Sequence, residues 1–346
     1  MKKGFALVMA SMMALSLTAC GGNASSATTA ADTSAADTKA EATTAAAPAD
    51  KIGLAGSGKE LIFTTGGDQG TYYGFGSVLA GQISDMTDTT VTAIVGKGSK
   101  GNIEAMDAGD AQLGFVQSDV MAYAYNGTNL FDGAKVDGFS TVAALYMEQV
   151  QIVTLNPDIK TVADLKGKTV SVGDSGSGVY FNALDCLGAY GLTIDDITPT
   201  YQSFGDSVEA MQDGKIDAAF IVAGAPTTAV TSLAATRKVY LVELDDEHID
   251  KLIETSPYYS KYTIAKDAYG LDADATTVAV GAVVVARDDV DENDIYNVVA
   301  GIYDSIDTLG HDKKNELDLD FAASVTAVPY HKGAAKYFAE KGLTVP

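Results

Sequence analysis

An α/β fold built in two halves is the class this sequence predicts, on three observations. Short strand-like runs alternate with segments of helical spacing from about Lys59 onward. One device, a strand leading through a Gly/Ser-rich turn to a helix N-terminus, occurs in both halves, at Gly66–Gly70 and at Gly173–Gly178. No similarity recurs at a period of roughly 20–50 residues, which argues against a solenoid.

Before the fold comes an address. Lys2 and Lys3 precede an uncharged, largely apolar run, Gly4–Ala19. The run is short for a membrane span, which takes about 20 residues, and suits the apolar core of an export signal. It ends in Leu17-Thr18-Ala19-Cys20, which resembles a bacterial lipobox. Residues 1–19 therefore read as a lipoprotein signal peptide. Cys20 reads as the lipidated N-terminus that anchors the protein to the outer face of the cytoplasmic membrane. Of the 30 residues Gly21–Asp50, 21 are Ala, Ser or Thr, and none is aromatic or a branched aliphatic. Such a segment buries too little to fold, so residues 20–58 read as a tether.

The elements follow in order. Glu60–Thr64 is a strand, and Thr71–Ser84 a helix with Tyr72, Phe75, Leu79 and Ile83 on one face. Thr90–Val95 is a strand, Asn102–Ala108 a helix and Leu113–Val116 a third strand, closed by Gln117-Ser118-Asp119 before another helix. An apolar run, Val142–Leu155, separates the halves. Thr161–Gly167 is a short helix with Thr161 as cap and Asp164 at its third position. Lys168–Val172 is a strand, Gly173–Gly178 a loop, Val179–Tyr190 a helix and Asp217–Val222 a strand. Thr276–Ala286 is a long Val/Ala strand, and Asp291–Leu309 a helix.

Charge narrows the partners. Against 23 basic residues stand 46 acidic ones, a net charge of −23, and nucleic acid requires a basic surface. The two cysteines, Cys20 and Cys186, offer no disulfide framework. Tryptophan is absent and tyrosine occurs 17 times.

The turn-to-helix device has a use. A helix N-terminus carries free N–H groups and partial positive charge, and glycine lets a ligand approach the backbone. Two such turns facing each other across a cleft would bind a carboxylate without a dedicated arginine. Arginine is scarce: only Arg237 and Arg287 occur, neither in a Gly-rich turn.

At these turns the sequence resembles the TAXI family of TRAP-transporter solute receptors. The resemblance rests on Phe63–Tyr73, Gly114–Asp119, Ile159–Gly178, Gly214–Phe220 with Gly224-Ala-Pro226, and His331–Tyr337 with Glu340–Gly342. It implies a type II periplasmic-binding-protein fold, two Rossmann-like lobes joined by a hinge. Residues 59–149 and 276–346 would form lobe 1, and residues 150–275 lobe 2, with chain crossings near 150 and 275. It implies a monomeric receptor that delivers a small carboxylate to a TRAP permease driven by an ion gradient. The carboxylate would be a glutamate- or glutamine-like amino acid, a dicarboxylate or a 2-oxo acid. A receptor of the same fold serving a membrane sensor kinase or an ATP-driven transporter is the alternative.

The ligand-binding residues expected on this basis are Gly66, Gly67, Gly70, Thr71, Ser175, Gly176, Ser177 and Gly178, whose backbone would hold the carboxylate. Ser99, Asn102, Gln117 and Ser118 would orient it, Tyr72 and Tyr73 would offer a ring, and Gly224 and Pro226 complete the set. Asp68 and Asp174 depart from the family pattern; they either cap the adjacent helices or accept a ligand ammonium. Lys97 and Lys100 stand in a further Gly-rich turn.

Enzyme chemistry finds little support. Gly96-x-Gly98-x-x-Gly101 fits a dinucleotide fingerprint with Asp119 downstream, but the following helix is short. Gly173-Asp-Ser-Gly176 is like a serine-protease string, yet His248, His311 and His331 all follow it, the wrong order for that triad. No His-x₃-His or Cys-x₂-Cys pair exists, so no metal is expected; Asp245–His248 reads as a solvated loop. No cofactor is expected.

Overall fold

The computed structural model describes residues 51–346; the signal peptide, the lipidation position Cys20 and the tether as far as residue 50 lie outside the described residues. The last part of the expected tether belongs to the folded body. Ile52 N–H donates to the Met86 carbonyl at 2.8 Å, and Leu54 exchanges two hydrogen bonds with the Asn297 side chain.

From there the chain builds β1 (Glu60–Thr64), α1 (Thr71–Met86), β2 (Thr90–Ile94), α2 (Ser99–Asp107), β3 (Leu113–Gln117) and α3 (Ser118–Asn126). The long strand β4 (Phe139–Thr154) leads to β5 (Thr169–Ser171), α4 (Val179–Ala189), β6 (Thr198–Thr200), α5 (Phe204–Gln212) and β7 (Ala218–Ala223). Next come α6 (Thr228–Ala234), β8 (Tyr240–Val242), α7 (Asp246–Thr255), β9 (Ser260–Ile264) and the second long strand, β10 (Ala275–Arg287). Helices α8 (Glu292–Tyr303), α9 (Leu319–Ala322) and α10 (Lys332–Glu340) close the chain.

The main path of the sheet runs β2-β1-β3-β10-β4-β7-β5-β6. β1 pairs in parallel with β2 and β3, and β5 in parallel with β6 and β7. β10 is antiparallel to β3, β4 to β7, and β4 and β10 to each other. Each half thus repeats one order, second strand, first strand, third strand, and ends on a long antiparallel strand. These are the two α/β lobes of a periplasmic-binding-protein fold, and the two long strands lie side by side where they meet.

Burial explains the pattern. Parallel strands covered on both faces read as continuous apolar runs, as in Ala218–Ala223, where every residue is buried. On one face of the first half Phe63, Phe75, Leu79 and Ile83 pack with Val298 and Phe338; on the other, Ile103, Met106, Val116 and Met121 pack with Val283. The second half has matching layers around Val170, Leu187 and Phe220 and around Met211, Ile221 and Leu233.

Two expected elements differ. The helix from Asp291 stops at Tyr303 and gives way to a short turn at Ile306–Thr308, because Ser305 Oγ folds back onto the Gly301 carbonyl and Gln82 Nε2 holds Ser305. Asp245–His248 is no loop. Asp245 caps α7 by accepting from the His248 N–H at 3.1 Å.

Candidate functional site

Ligands of open α/β sheets gather beyond the carboxyl ends of the parallel strands, and here all six such ends converge on one cavity of about 80 Å³. After β1 it is lined by Gly66–Tyr72, after β2 by Gly96–Ser99, and at the end of β3 by Gln117. From the second lobe come Asp174 and Ser177–Val179 after β5, Ser203–Gly205 after β6, and Val222 and Ala223 in β7. Glu148 enters from β4, on the strand pair where the lobes meet.

Three helices present N-termini here without a side-chain cap: α1 behind Gly70, α2 behind Gly98 and α4 behind Gly178. Apart from Gly101 in α2, whose N–H donates to the Gly176 carbonyl at 2.9 Å, the absence of a side-chain cap leaves first-turn N–H groups available to an anion, and the helix dipoles favour one. At Gly98 the backbone takes φ +84°, a left-handed conformation that favours glycine. The fourth helix, α5, is capped by Ser203, whose hydroxyl accepts from the Asp206 N–H.

Buried polar atoms normally find partners. Among the described residues seven buried side-chain atoms do not, and four of them, Tyr72 OH, Gln117 Oε1, Glu148 Oε2 and Ser177 Oγ, belong to residues that line this cavity. Tyr72 stacks its ring on Phe115, centroids 4.6 Å apart, so its hydroxyl is carried to the cavity by a ring fixed in the core. Glu148 is 2% exposed. Burial pushes its carboxyl up to about 8, with Tyr72 pulling the other way. The Tyr72 phenol is raised well above its ordinary value, by burial first and the nearby Glu148 second.

The lobes touch across the cavity. Gly101 N–H donates to the Gly176 carbonyl at 2.9 Å, and Ala229 N–H to the Gln69 carbonyl at 3.2 Å. Thr71 Oγ donates to the Gly224 carbonyl at 2.8 Å, and Gln117 Nε2 to Asn182 Oδ1 at 2.9 Å. Behind them Asn182 Nδ2 donates to Asp119 Oδ2 at 3.1 Å and to Tyr259 OH at 2.7 Å. Burial raises the Asp119 carboxyl to about 7.

Of the expected residues, Gly66, Gly67, Asp68, Gly70, Thr71, Tyr72, Ser99, Gln117, Asp174, Ser177 and Gly178 line the cavity. Seven do not. Tyr73 is half-buried on the next step of the helical wheel. Asn102 is scaffold, donating to the carbonyls of Thr65 and Phe115. Ser118 Oγ accepts from the Gly281 N–H. Ser175 and Gly176 lie in a neighbouring surface depression, together with Lys100. Gly224 backs onto Lys313 and Tyr146, and Pro226 follows it in a cis peptide bond outside the lining.

Asp68 and Asp174 are exposed at the rim. Neither caps a helix, since neither α1 nor α4 has a side-chain cap, so the capping role expected of them is not what the structure has. Sequence reasoning missed Glu148, though a lone acid inside an apolar strand was the available signal, because carboxylates are almost never fully buried without purpose. It also passed over Phe204 and Gly205, which follow a three-residue strand too short to register.

Among known proteins, the chain matches the NMT1-like family over residues 63–342. A putative aliphatic sulfonates-binding protein of Escherichia coli (strain K12) is 43% identical over 70 residues, and the match spans 20% of this chain and 22% of that protein. The alkanesulfonate-binding protein of Xanthomonas axonopodis pv. citri, solved bound to MOPS, has 17% identity and a TM-score of 0.47, with 81% of this chain and 83% of that one covered. The periplasmic aliphatic sulphonate binding protein of Escherichia coli has 19% identity and a TM-score of 0.44, with 82% and 93% covered.

The NMT1-like match replaces the resemblance to the TAXI receptors, and the TRAP permease that it implied loses its support. The motifs behind that resemblance are mostly Gly-rich turns at strand ends, and such turns serve the fold's helix N-termini whatever the family.

Proposed function

The chain belongs to the NMT1-like family, and from that premise we propose an exported receptor that holds a small anionic solute between its lobes and presents it to an ATP-driven membrane transporter. The observation that carries the reading is the meeting of three uncapped helix N-termini with unpartnered buried polar atoms in one cavity. An anionic head, sulfonate or carboxylate, satisfies the first, and polar groups on the rest of the solute satisfy the second. The short stretch shared with an aliphatic sulfonates-binding protein supports including sulfonates. The cavity is smaller than the roughly 150 Å³ that holds a benzene ring, which favours a solute of few atoms.

Export and anchoring through Cys20 belong to the same proposal. Among the described residues no helix is long and apolar enough to cross a membrane; the anchoring proposal rests on the lipobox-like Leu17–Cys20. The ATP-driven partner is one of the two alternatives the sequence offers beside the TAXI reading, the other being a membrane sensor kinase.

A thermal-shift screen of small sulfonates, carboxylates, amino acids and neutral sugars tests the receptor reading. A true solute at 100 times its Kd adds about 2.7 kcal/mol of stability. Small anions are expected to raise the midpoint and sugars to leave it in place. A sugar response without an anion response would overturn the assignment.

A further inference from the structure

Glu148 is the one acid that reaches the floor of the cavity, and among the described residues no cation pairs with it. Its Oε2 makes no hydrogen bond. Lys313, the nearest positive influence, is already engaged: its Nζ donates to the Ala225 carbonyl at 2.9 Å, pairs with Glu316 and sits 5.3 Å over the Tyr146 ring. The other groups acting on Glu148 are the Tyr72 hydroxyl from α1, the Gln117 side chain from β3 and the Asp119 carboxyl from α3, with the Tyr146 phenol beside it on β4. None carries positive charge. The charged side chains lining the cavity are Asp68, Glu148 and Asp174 against Lys97 alone, while the backbone at the three helix ends is positive. One wall suits an anion and the floor suits a cation.

We infer that the solute is a zwitterion whose ammonium group pairs with Glu148 while its anionic head sits at the helix N-termini, and that binding expels a proton. The inference rests on the receptor reading and adds the solute class and the residue that selects it. The step balances simply. Before binding, Glu148 carries its proton at neutral pH, because burial lifts its carboxyl to about 8 and an unpaired buried carboxylate is costly. The arriving ammonium favours the ionised form, the O–H bond of Glu148 breaks, and the proton leaves to solvent. A buried carboxylate–ammonium pair remains, with Tyr72 and Gln117 in place to hydrogen-bond it. A solute without an ammonium would have no such effect. Its affinity would instead fall above pH 8, as Glu148 ionised beside it.

The test is calorimetry on the whole protein at pH 7, in two buffers of different ionisation enthalpy. Matched probes are taurine against ethanesulfonate and β-alanine against propionate, followed by the wider panel of the screen above. The aminated member of a pair is expected to bind at least 100-fold more tightly and to release close to one proton. Glu148→Gln has the same shape as the protonated side chain and should fold. It is expected to cut the amine's affinity at least 100-fold and to abolish proton release. Anions that bind as tightly without an amine, with no proton released, would overturn the zwitterion and leave the receptor intact. Unchanged amine affinity in Glu148→Gln would overturn the role of that residue. Failure of every anion in the panel would overturn the receptor reading, and this inference with it.

Discussion

A methyl group at position 178 would collide with the Gln117 side chain of the opposite lobe and come within 2.8 Å of Ser99 Oγ. The backbone there has φ −67° and ψ −23°, which alanine adopts freely. Gly178→Ala therefore strains no backbone but overpacks the contact between the lobes, and is expected to cost about 1–3 kcal/mol of stability while weakening solute affinity at least tenfold; paired melting and titration curves check it. Gly176 is the contrast. Its Cβ would meet nothing within 4 Å, but its φ is +92°, so a side chain there strains the backbone rather than blocking a ligand. The sequence marks both glycines alike, since spacing shows that a turn exists and not which member faces the cavity. It also hides Asp119, whose isolation comes from packing among α3, α4 and Tyr259. Burial lifts that carboxyl to about 7, so between about pH 4 and 7 the fold binds a proton that the unfolded chain has lost. Stability falls as pH rises through that window and levels off above it. Glu148 acts in the same direction up to about 8. Asp119→Asn should flatten the fall and gain on the order of a few kcal/mol at pH 8, as denaturant unfolding at pH 5 and pH 8 would show.

Elements with strong local signals are legible in the amino-acid sequence itself. The strands and helices that begin the fold, and the turn capped at Thr161 with Asp164 in reciprocal contact, follow from period and capping chemistry alone. What escapes is short or locally ambiguous. β6 has three residues, one of them Pro199, and β8 and β9 add to the long strands only through tertiary pairing. The start of α7 reads as a loop because it is a run of acids, whereas those acids favour a helix N-terminus. Asp245 also accepts from Tyr190 OH at 2.9 Å, and Tyr190 stacks on His248 at 3.6 Å between centroids. Asp245→Ala removes the cap and this anchor, so a loss of about 1–2 kcal/mol is expected. Because α7 does not line the cavity, solute affinity should not change, and chemical denaturation beside a binding titration separates the two.

For the molecule as a whole, the lobe-to-lobe contacts decide how much of the protein is ready to hold a solute. Asn182 on α4 links Gln117 and Asp119 of the first lobe with Tyr259 of the second. Asn182→Ala leaves those groups without it and should shift the population toward separated lobes. A larger radius of gyration by X-ray scattering is expected without solute, returning to the wild-type value at saturation, with affinity reduced in proportion to the competent fraction. The doubling of the strand order is not legible in the sequence, because the shared device fixes what each half contains but not how β4 and β10 join the halves.

That junction has a mechanical consequence. A joint made of flexible linker swings like a pin and resists nothing until it reaches a stop. Here the sheet passes through β10 and β4 from one lobe to the other, with register shifts at Ala282/Val283 and Val284/Val285, so any rotation must bend and twist a paired sheet. Such a joint behaves as a flexure: resistance rises with angle, and a restoring force points back to the rest position. The gap between the lobes should therefore be narrow and quick to reseal, and a solute would leave through a brief crack rather than a wide mouth.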